Sequence, residues 1–221
     1  MRRVLRFGLA VVLLDCASLA GQSNASVDVR AATTGFGVEV AKLLTGHLGA
    51  RLGGSFFSWS TNKSQSDISY NASLKLHTFT ALLDLFPGRR GSFHVTTGLV
   101  TNPLTISATG IPAASDSFRI NGKEYSASAV GTLTAQGKFP GASPYLGLGF
   151  GTPANEHKGL KLLFDFGAVL GKPKVLLNAT GADSIPQLAA DIQTQQVQTQ
   201  HDVRKYLKVY PVLSFGFGYR F

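Results

Sequence analysis

From Leu207 to the end of the chain, two residue sets interleave. Leu207, Val209, Pro211, Leu213, Phe215, Phe217, Tyr219 and Phe221 form one, and Lys208, Tyr210, Val212, Ser214, Gly216, Gly218 and Arg220 the other. Successive strand residues point to opposite faces, so this is a strand with one apolar, aromatic-ended face and one mostly small or polar face. The pattern recurs upstream. Phe36, Val38 and Val40 alternate with Gly37, Glu39 and Ala41, and Leu48, Ala50, Leu52, Gly54 and Phe56 with Gly49, Arg51, Gly53 and Ser55. Leu74 and Leu76 oppose Lys75 and His77, Phe93 and Val95 oppose His94 and Thr96, and Leu146, Leu148 and Phe150 oppose Gly147 and Gly149. Leu160, Leu162, Phe164, Phe166, Ala168 and Leu170 oppose Lys161, Leu163, Asp165, Gly167 and Val169.

The second face decides the architecture. In a soluble sandwich the apolar face packs inward and the other must be richly polar to meet water. Here the other face is largely Gly, Ala and Ser with isolated charges. That suits the narrow interior of a small barrel, where charges pair across the lumen and the apolar face meets lipid. Segments of roughly 9–13 residues also match tilted membrane strands. The pattern predicts an all-β fold, an antiparallel transmembrane β-barrel with strands at 33–44, 47–60, 69–85, 91–107, 127–139, 143–152, 159–172 and 206–221.

Eight strands fit the even counts of bacterial single-chain barrels. Alternation is poor at 127–139, Val27 to Arg30 reads as an extension of the first strand, and a count of ten stays open. The apolar phase blurs between Leu76 and Leu83, as a bulge would cause. Pro103 and Pro211 each remove a ladder donor inside an expected strand. With eight such strands, the short links (45–47, 87–91, 140–142) fall on the outer side and the long ones (61–68, 108–126) inside, the reverse of the usual asymmetry. Either the count is off by one near the N-terminus or the asymmetry is inverted. Between 180 and 205 the period becomes helical. Ser184-Ile185-Pro186-Gln187 reads as a capping-box-like start, and Ile185, Leu188, Ala189 and Ile192 give an apolar stripe. An amphipathic helical insert is expected before the last strand, packing at the barrel mouth or serving as a lid.

The N-terminus reads as a targeting segment. Arg2, Arg3 and Arg6 precede the apolar run Phe7 to Leu14, and Ser18 and Ala20 place small residues at −3 and −1 of a cut before Gly21. Residues 1–20 are therefore expected to be a secretory signal peptide and 21–221 the outer-membrane β-barrel. The single cysteine, Cys16, lies within the leader, so the mature chain would hold no thiol. Beyond Gly21 no apolar stretch is long enough for a membrane helix.

Composition agrees. Charged residues make up only 15%, with 25 Gly and 15 Phe, against roughly 25% charge in average soluble domains. The net charge is +9 (+7 once three Arg and one Asp leave with the leader). The basic residues are scattered and match no nucleic-acid-binding signature.

The last eight residues, Ser214 to Phe221, carry a more specific signal. Ser214, Gly216, Tyr219 and a terminal Phe221 resemble the assembly signal of Gram-negative outer-membrane barrels. The resemblance implies that the barrel assembly machinery reads these residues. More broadly the chain is similar to small barrels of the OmpA/OmpW type and related outer-membrane β-barrel proteins. The segments GFGVEVAKLLTGHLGARLGGSFF, SPYLGLGFG, LLFDFGAVLGKPKV and YPVLSFGFGYRF carry that likeness. It implies a place in the outer membrane, with its lipids and lipopolysaccharide as partners, and an envelope-structural or narrow-pore, limited transport role.

Little points to chemistry. A lipid A-modifying enzyme would need His and Ser close together with an orienting carboxylate. The nearest candidate is His94 with Thr96, at i, i+2 on one strand. The five histidines are widely spaced and form no metal-ligand motif, and Thr61 to Ser69 reads as a polar loop without calcium-site carboxylates. No cofactor and no catalytic residue are expected. The remaining inward set, Glu39, Arg51, Lys75, His77, His94, Lys161, Asp165 and Lys208, predicts a salt-bridged lumen. A lipid A-modifying barrel enzyme and a soluble secreted β-sandwich binding protein stand as the alternatives.

Overall fold

The computed structural model describes residues 25–65, 68–88, 92–101, 103–111, 117–151 and 158–221. The expected signal peptide, with Ser18, Ala20 and Gly21, lies outside the described residues. The strands are β1 (Ala25–Ala32), β2 (Gly35–Leu43), β3 (Leu48–Gln65), β4 (Ile68–Leu85), β5 (Phe93–Thr101), β6 (Thr105–Ile111), β7 (Ser117–Ile120), β8 (Lys123–Ser126), β9 (Leu133–Lys138), β10 (Ser143–Phe150), β11 (Gly159–Leu170), β12 (Lys174–Ala179) and β13 (Val209–Arg220). One helical turn, α1 (Ala127–Val130), follows β8, and the long helix α2 (Pro186–Tyr206) precedes β13.

Eight of these strands close on themselves. The cyclic order β4-β3-β2-β1-β13-β11-β10-β5 returns to β4, with every pairing antiparallel. The two ends of the described chain meet, Phe221 N–H donating to the Ala25 carbonyl (3.1 Å). No helix among the described residues is long and apolar enough to cross a membrane.

Above the barrel the wall continues on one side. β4 pairs with β5 through Phe79↔Thr101 and with β6 from Lys75↔Thr105, in one unbroken register. β10 and β9 bear the same relation to β5 and β6, from Ser143↔Val100 to Thr105↔Lys138. The intervening breaks contain Pro103 and Pro140, and the break between β11 and β12 contains Pro173. Proline cannot donate to a ladder, so each marks where the hydrogen-bonded wall is interrupted. Below the breaks the strands close the barrel; above them β12-β9-β6-β4-β3 form an open five-stranded extension.

On one face of this extension sits a second core. Ile120, Val130, Ala179, Leu188 and Ile192 are buried together, flanked by Phe118, Tyr125, Leu133 and Leu177. α2 also protects the sheet's edge. Gln196 and Gln200, one turn apart, accept from the backbone N–H groups of Leu177 (2.9 Å) and Val175 (2.8 Å) of β12. An open strand edge would otherwise invite another chain.

The strand inventory differs from expectation in an instructive way. Eight is right, but β1 replaces the expected strand at 127–139. That segment is one helical turn followed by β9, which belongs to the extension. Adding one strand at the N-terminus reverses the sidedness of every link. Residues 44–47, 86–92 and 151–158 now connect strands at the end holding both termini, and the excursions 102–142 and 171–208 lie at the other end. This is the usual asymmetry.

Three smaller expectations also change. Thr61 to Ser69 lies largely in strands, because β3 and β4 run on as one long ladder from Leu48↔Leu85 to Gln65↔Ile68. That ladder is in uniform register, so there is no bulge near Leu76. Ser184 does not cap α2: the N-cap position is Ile185, without a side-chain bond, and Pro186 opens the helix. Pro211 is tolerated because β1 ends at Ala32↔Ser214, leaving β13 paired there only with β11.

Candidate functional site

Inside the barrel, charge replaces the apolar core of a soluble fold. Arg51 of β3 is buried between three carboxylates. Its Nε lies 2.6 Å from Asp84 Oδ2, its Nη2 3.0 Å from Asp165 Oδ1 and its Nη1 3.3 Å from Glu39 Oε1. Arg30 of β1 adds a second guanidinium, 2.9 Å from Glu39 Oε1 and in direct contact with Asp165 Oδ2. Two guanidinium forks thus knit together carboxylates from β2, β4 and β11 across the lumen. Planar forks suit this, since each can bind more than one carboxylate at once.

His94 and Thr96 of β5 complete the layer. Asp165 Oδ1 accepts from His94 Nε2 (3.1 Å), and Asp84 Oδ1 from the Thr96 hydroxyl (2.7 Å). Glycine makes the room: a Cβ at Gly149 would collide with both His94 Nε2 and Asp165 Oδ1. Towards the termini a second pair forms, with Lys161 Nζ 3.4 Å from Asp28 Oδ1 and donating to Ser26 Oγ (2.8 Å). Phe86 lies over His94 at that end, ring centroids 5.2 Å apart. Towards the extension the lumen turns apolar, through Val100, Tyr145, Val169 and Val212 with Leu82 and Tyr210.

The layer divides the interior. A cavity of about 50 Å³ lies on the terminal side and one of about 60 Å³ on the other, with Arg30 and Arg51 lining both. Each is large enough for a few waters. The ion pairs of Arg30 and Arg51 lie between the two.

Of the residues expected inside, Glu39, Arg51, His94, Lys161 and Asp165 line the lumen. Lys75, His77 and Lys208 do not. On β4 the inward residues are Leu76, Thr78 and Asp84, so Lys75 and His77 point out and are exposed. Lys208 keeps the inward phase of β13 but precedes that strand and is exposed. Sequence reasoning missed Arg30, Asp28 and Asp84, which share the layer or lie beside it. The signal was present in the alternation of Asp28 and Arg30 with Val27 and Val29, but the segment is short.

Two of the four residues expected to form the assembly signal have places in the lumen. Ser214 and Gly216 face inward; Ser214 Oγ lies 3.4 Å from Arg30 Nη1, and a Cβ at Gly216 would stand 2.9 Å from Arg30 Cγ. Tyr219 faces out, its ring centroid 5.4 Å from that of Phe221. Among the described residues no cluster of His, Cys, Asp and Glu could hold a metal.

The outside completes the definition. Phe36, Leu52, Phe56, Phe79, Leu146, Phe166 and Phe217 all stand half-exposed or more, Phe217 at 58%. A polar inside and an apolar outside invert a soluble barrel, and define a transmembrane-type barrel. The structure is similar to those of two Acinetobacter baumannii proteins. CarO is 18% identical, with a TM-score of 0.53, 89% of this chain and 97% of that one being covered. CarO2 is 17% identical, with a TM-score of 0.54, covering 90% and 99%. A major outer membrane protein from Thermus thermophilus aligns with a TM-score of 0.43 at 17% identity, over 89% of this chain and 99% of that one. No family model and no curated protein matches the sequence. The likeness is one of fold.

Proposed function

We propose that this chain is an integral outer-membrane protein with an envelope-structural role, a barrel sealed by its own ion pairs that carries the sheet-and-helix extension on the outer side. The observation carrying this is Arg51, with Arg30, bound to Glu39, Asp84 and Asp165 across the lumen. An eight-stranded interior is just wide enough for side chains to span, and here the ion-paired layer reaches across it. The reading is non-enzymatic. His94 and Thr96 each bind a different carboxylate and face the lumen, away from the outer surface where acyl chains would lie.

Planar-bilayer recording of the purified, folded protein tests the seal. No channel events are expected; steady single-channel conductance would favour the narrow-pore reading, for which the two small vestibules are the supporting observation. Outer-membrane lipids and lipopolysaccharide belong to this proposal, as does insertion by the barrel assembly machinery through Ser214, Gly216, Tyr219 and Phe221. If the terminal aromatic is read by that machinery, Phe221→Ala lowers membrane-inserted yield more than Phe150→Ala at equal expression. Equal yields would reduce the C-terminal residues to an ordinary outward-facing strand.

A further inference from the structure

The outer face of the extension holds a feature that a sealed barrel does not need. Ser58, Lys75, Thr105, Lys138 and Lys174 are successive cross-strand partners over β3, β4, β6, β9 and β12, and so form one row on one face. All three lysines are exposed. Lys138 and Lys174 are directly opposed, an arrangement that is destabilising unless something anionic lies between them. The next two rows on this face are also without a carboxylate. Ser60, Ser73, Ser107 and Gln136 share one with Leu176, and Asn62, Asn71, Thr109, Thr134 and Asn178 make the other.

Position identifies the occupant. The row lies two residues beyond the pair Phe56↔His77, at the upper rim of the apolar girdle, where Phe56 is 67% exposed. Thr105, Lys138 and Lys174 each adjoin the breaks at which strands leave the barrel wall. Anionic headgroups begin where acyl chains end, and basic residues at that level bind them. Neighbouring strands are about 4.8 Å apart, so Lys138 and Lys174 can flank one phosphate, with Lys75 about 10 Å along the row. Hydroxyl and amide side chains above the lysines suit sugar hydroxyls. We infer that this face is a docking surface for the phosphorylated saccharide headgroup of an outer-leaflet glycolipid. The inference rests on the outer-membrane reading above and adds a site to it.

The test uses full-length folded protein in phosphatidylcholine nanodiscs containing lipid A or its dephosphorylated form, with bound glycolipid counted by native mass spectrometry. Wild type should retain lipid A, and the triple variant K75S/K138S/K174S should lose at least about tenfold in occupancy. The corresponding triple Lys→Arg variant should keep it, and dephosphorylated lipid should bind both weakly. Equal retention by the Ser variant, or equal binding of the dephosphorylated lipid, would overturn the site. Displacement by millimolar inorganic phosphate would also overturn it, as a mere anion site. Heat-modifiable gel migration is read on the same samples. Wild type that migrates as folded barrel but shows no phosphate preference defeats this inference alone, whereas failure to insert defeats the outer-membrane reading and this inference with it.

Discussion

The lower and upper parts of the same wall have opposite polarity. On β4 below residue 77, towards the termini, Phe79, Leu83 and Leu85 point outward while Thr78 and Asp84 point in. Beyond it, Lys75, Ser73 and Asn71 take the outward positions, and Leu74 and Ala72 the inward ones. β3 switches at the same level, from Leu52 and Phe56 outward to Ser58 and Ser60. The backbone does not change, since one register runs through both halves. Only the surroundings change, and the sequence inverts with them: polar residues inside where the outside is lipid, apolar residues inside where the outside is water.

The two regions differ most in what their charges do. In the lumen Arg51 is buried among three carboxylates, and removing one partner of such a group strands the others. Arg51→Met is expected to cost about 3–5 kcal/mol, read as a loss of urea resistance of the folded, heat-modifiable form. In the extension Lys123, whose side chain is 54% exposed, lies 3.0 Å from Asp191 Oδ2. Lys123→Met should cost no more than about 1 kcal/mol. Comparable losses for the two would mean that the lumen is hydrated well enough to screen its charges.

A charge walked along one face of β4 maps the boundary. Leu83→Lys places an ammonium on the apolar girdle and should cost about 2 kcal/mol or more; Ser73→Lys, beyond Lys75 on the same face, should cost about zero. Folding yield into vesicles measures both. Equal tolerance would mean that the girdle does not meet lipid at Leu83, or that lipid reaches past Lys75.

This inversion also explains what the sequence concealed. Alternation in the barrel half made seven of the eight barrel strands legible, and the helical period at 185–192 marked α2. The phase change on β4 looks like a bulge because a bulge and a change of solvent both move the apolar set to the other parity. β9 resisted assignment because Leu133 to Lys138 lies wholly in the extension, where apolar and polar faces are weakly contrasted. Leu74 and Leu76 set the apparent outer face and so place Lys75 and His77 in the lumen by alternation, although Leu74 and Leu76 are on the inward side. A salt-bridged lumen was legible, but its pairings were not. Arg30, Glu39, Arg51, Asp84 and Asp165 lie on five strands, and only closure brings them together.

The smallest effect concerns the extension's own buried acid. Asp191 of α2 accepts from Asn121 Nδ2 (2.9 Å), Gln187 Nε2 (3.2 Å), Lys123 Nζ (3.0 Å) and the Tyr125 hydroxyl, tying the β7–β8 hairpin to the helix. The Tyr125 hydrogen bond, then those from Asn121 and Lys123, hold its carboxyl well below its ordinary value of 3.8, and the same bond raises the Tyr125 phenol above its ordinary 10.0. A depressed carboxyl pKa contributes stability that is present above the ordinary value and is lost as pH falls towards the folded one. A raised phenol pKa contributes stability that is present below 10.0 and lost as pH rises through the folded value. Docking of α2 should therefore be flat from about pH 5 to 9 and weaken at both extremes. Limited proteolysis of α2 across pH, with barrel migration as the internal reference, reads this directly. Asp191→Asn should be cut faster at neutral pH and lose the acid-side dependence. If it keeps wild-type protection at neutral pH, the apolar contacts of Leu188 and Ile192 hold the helix without its acid.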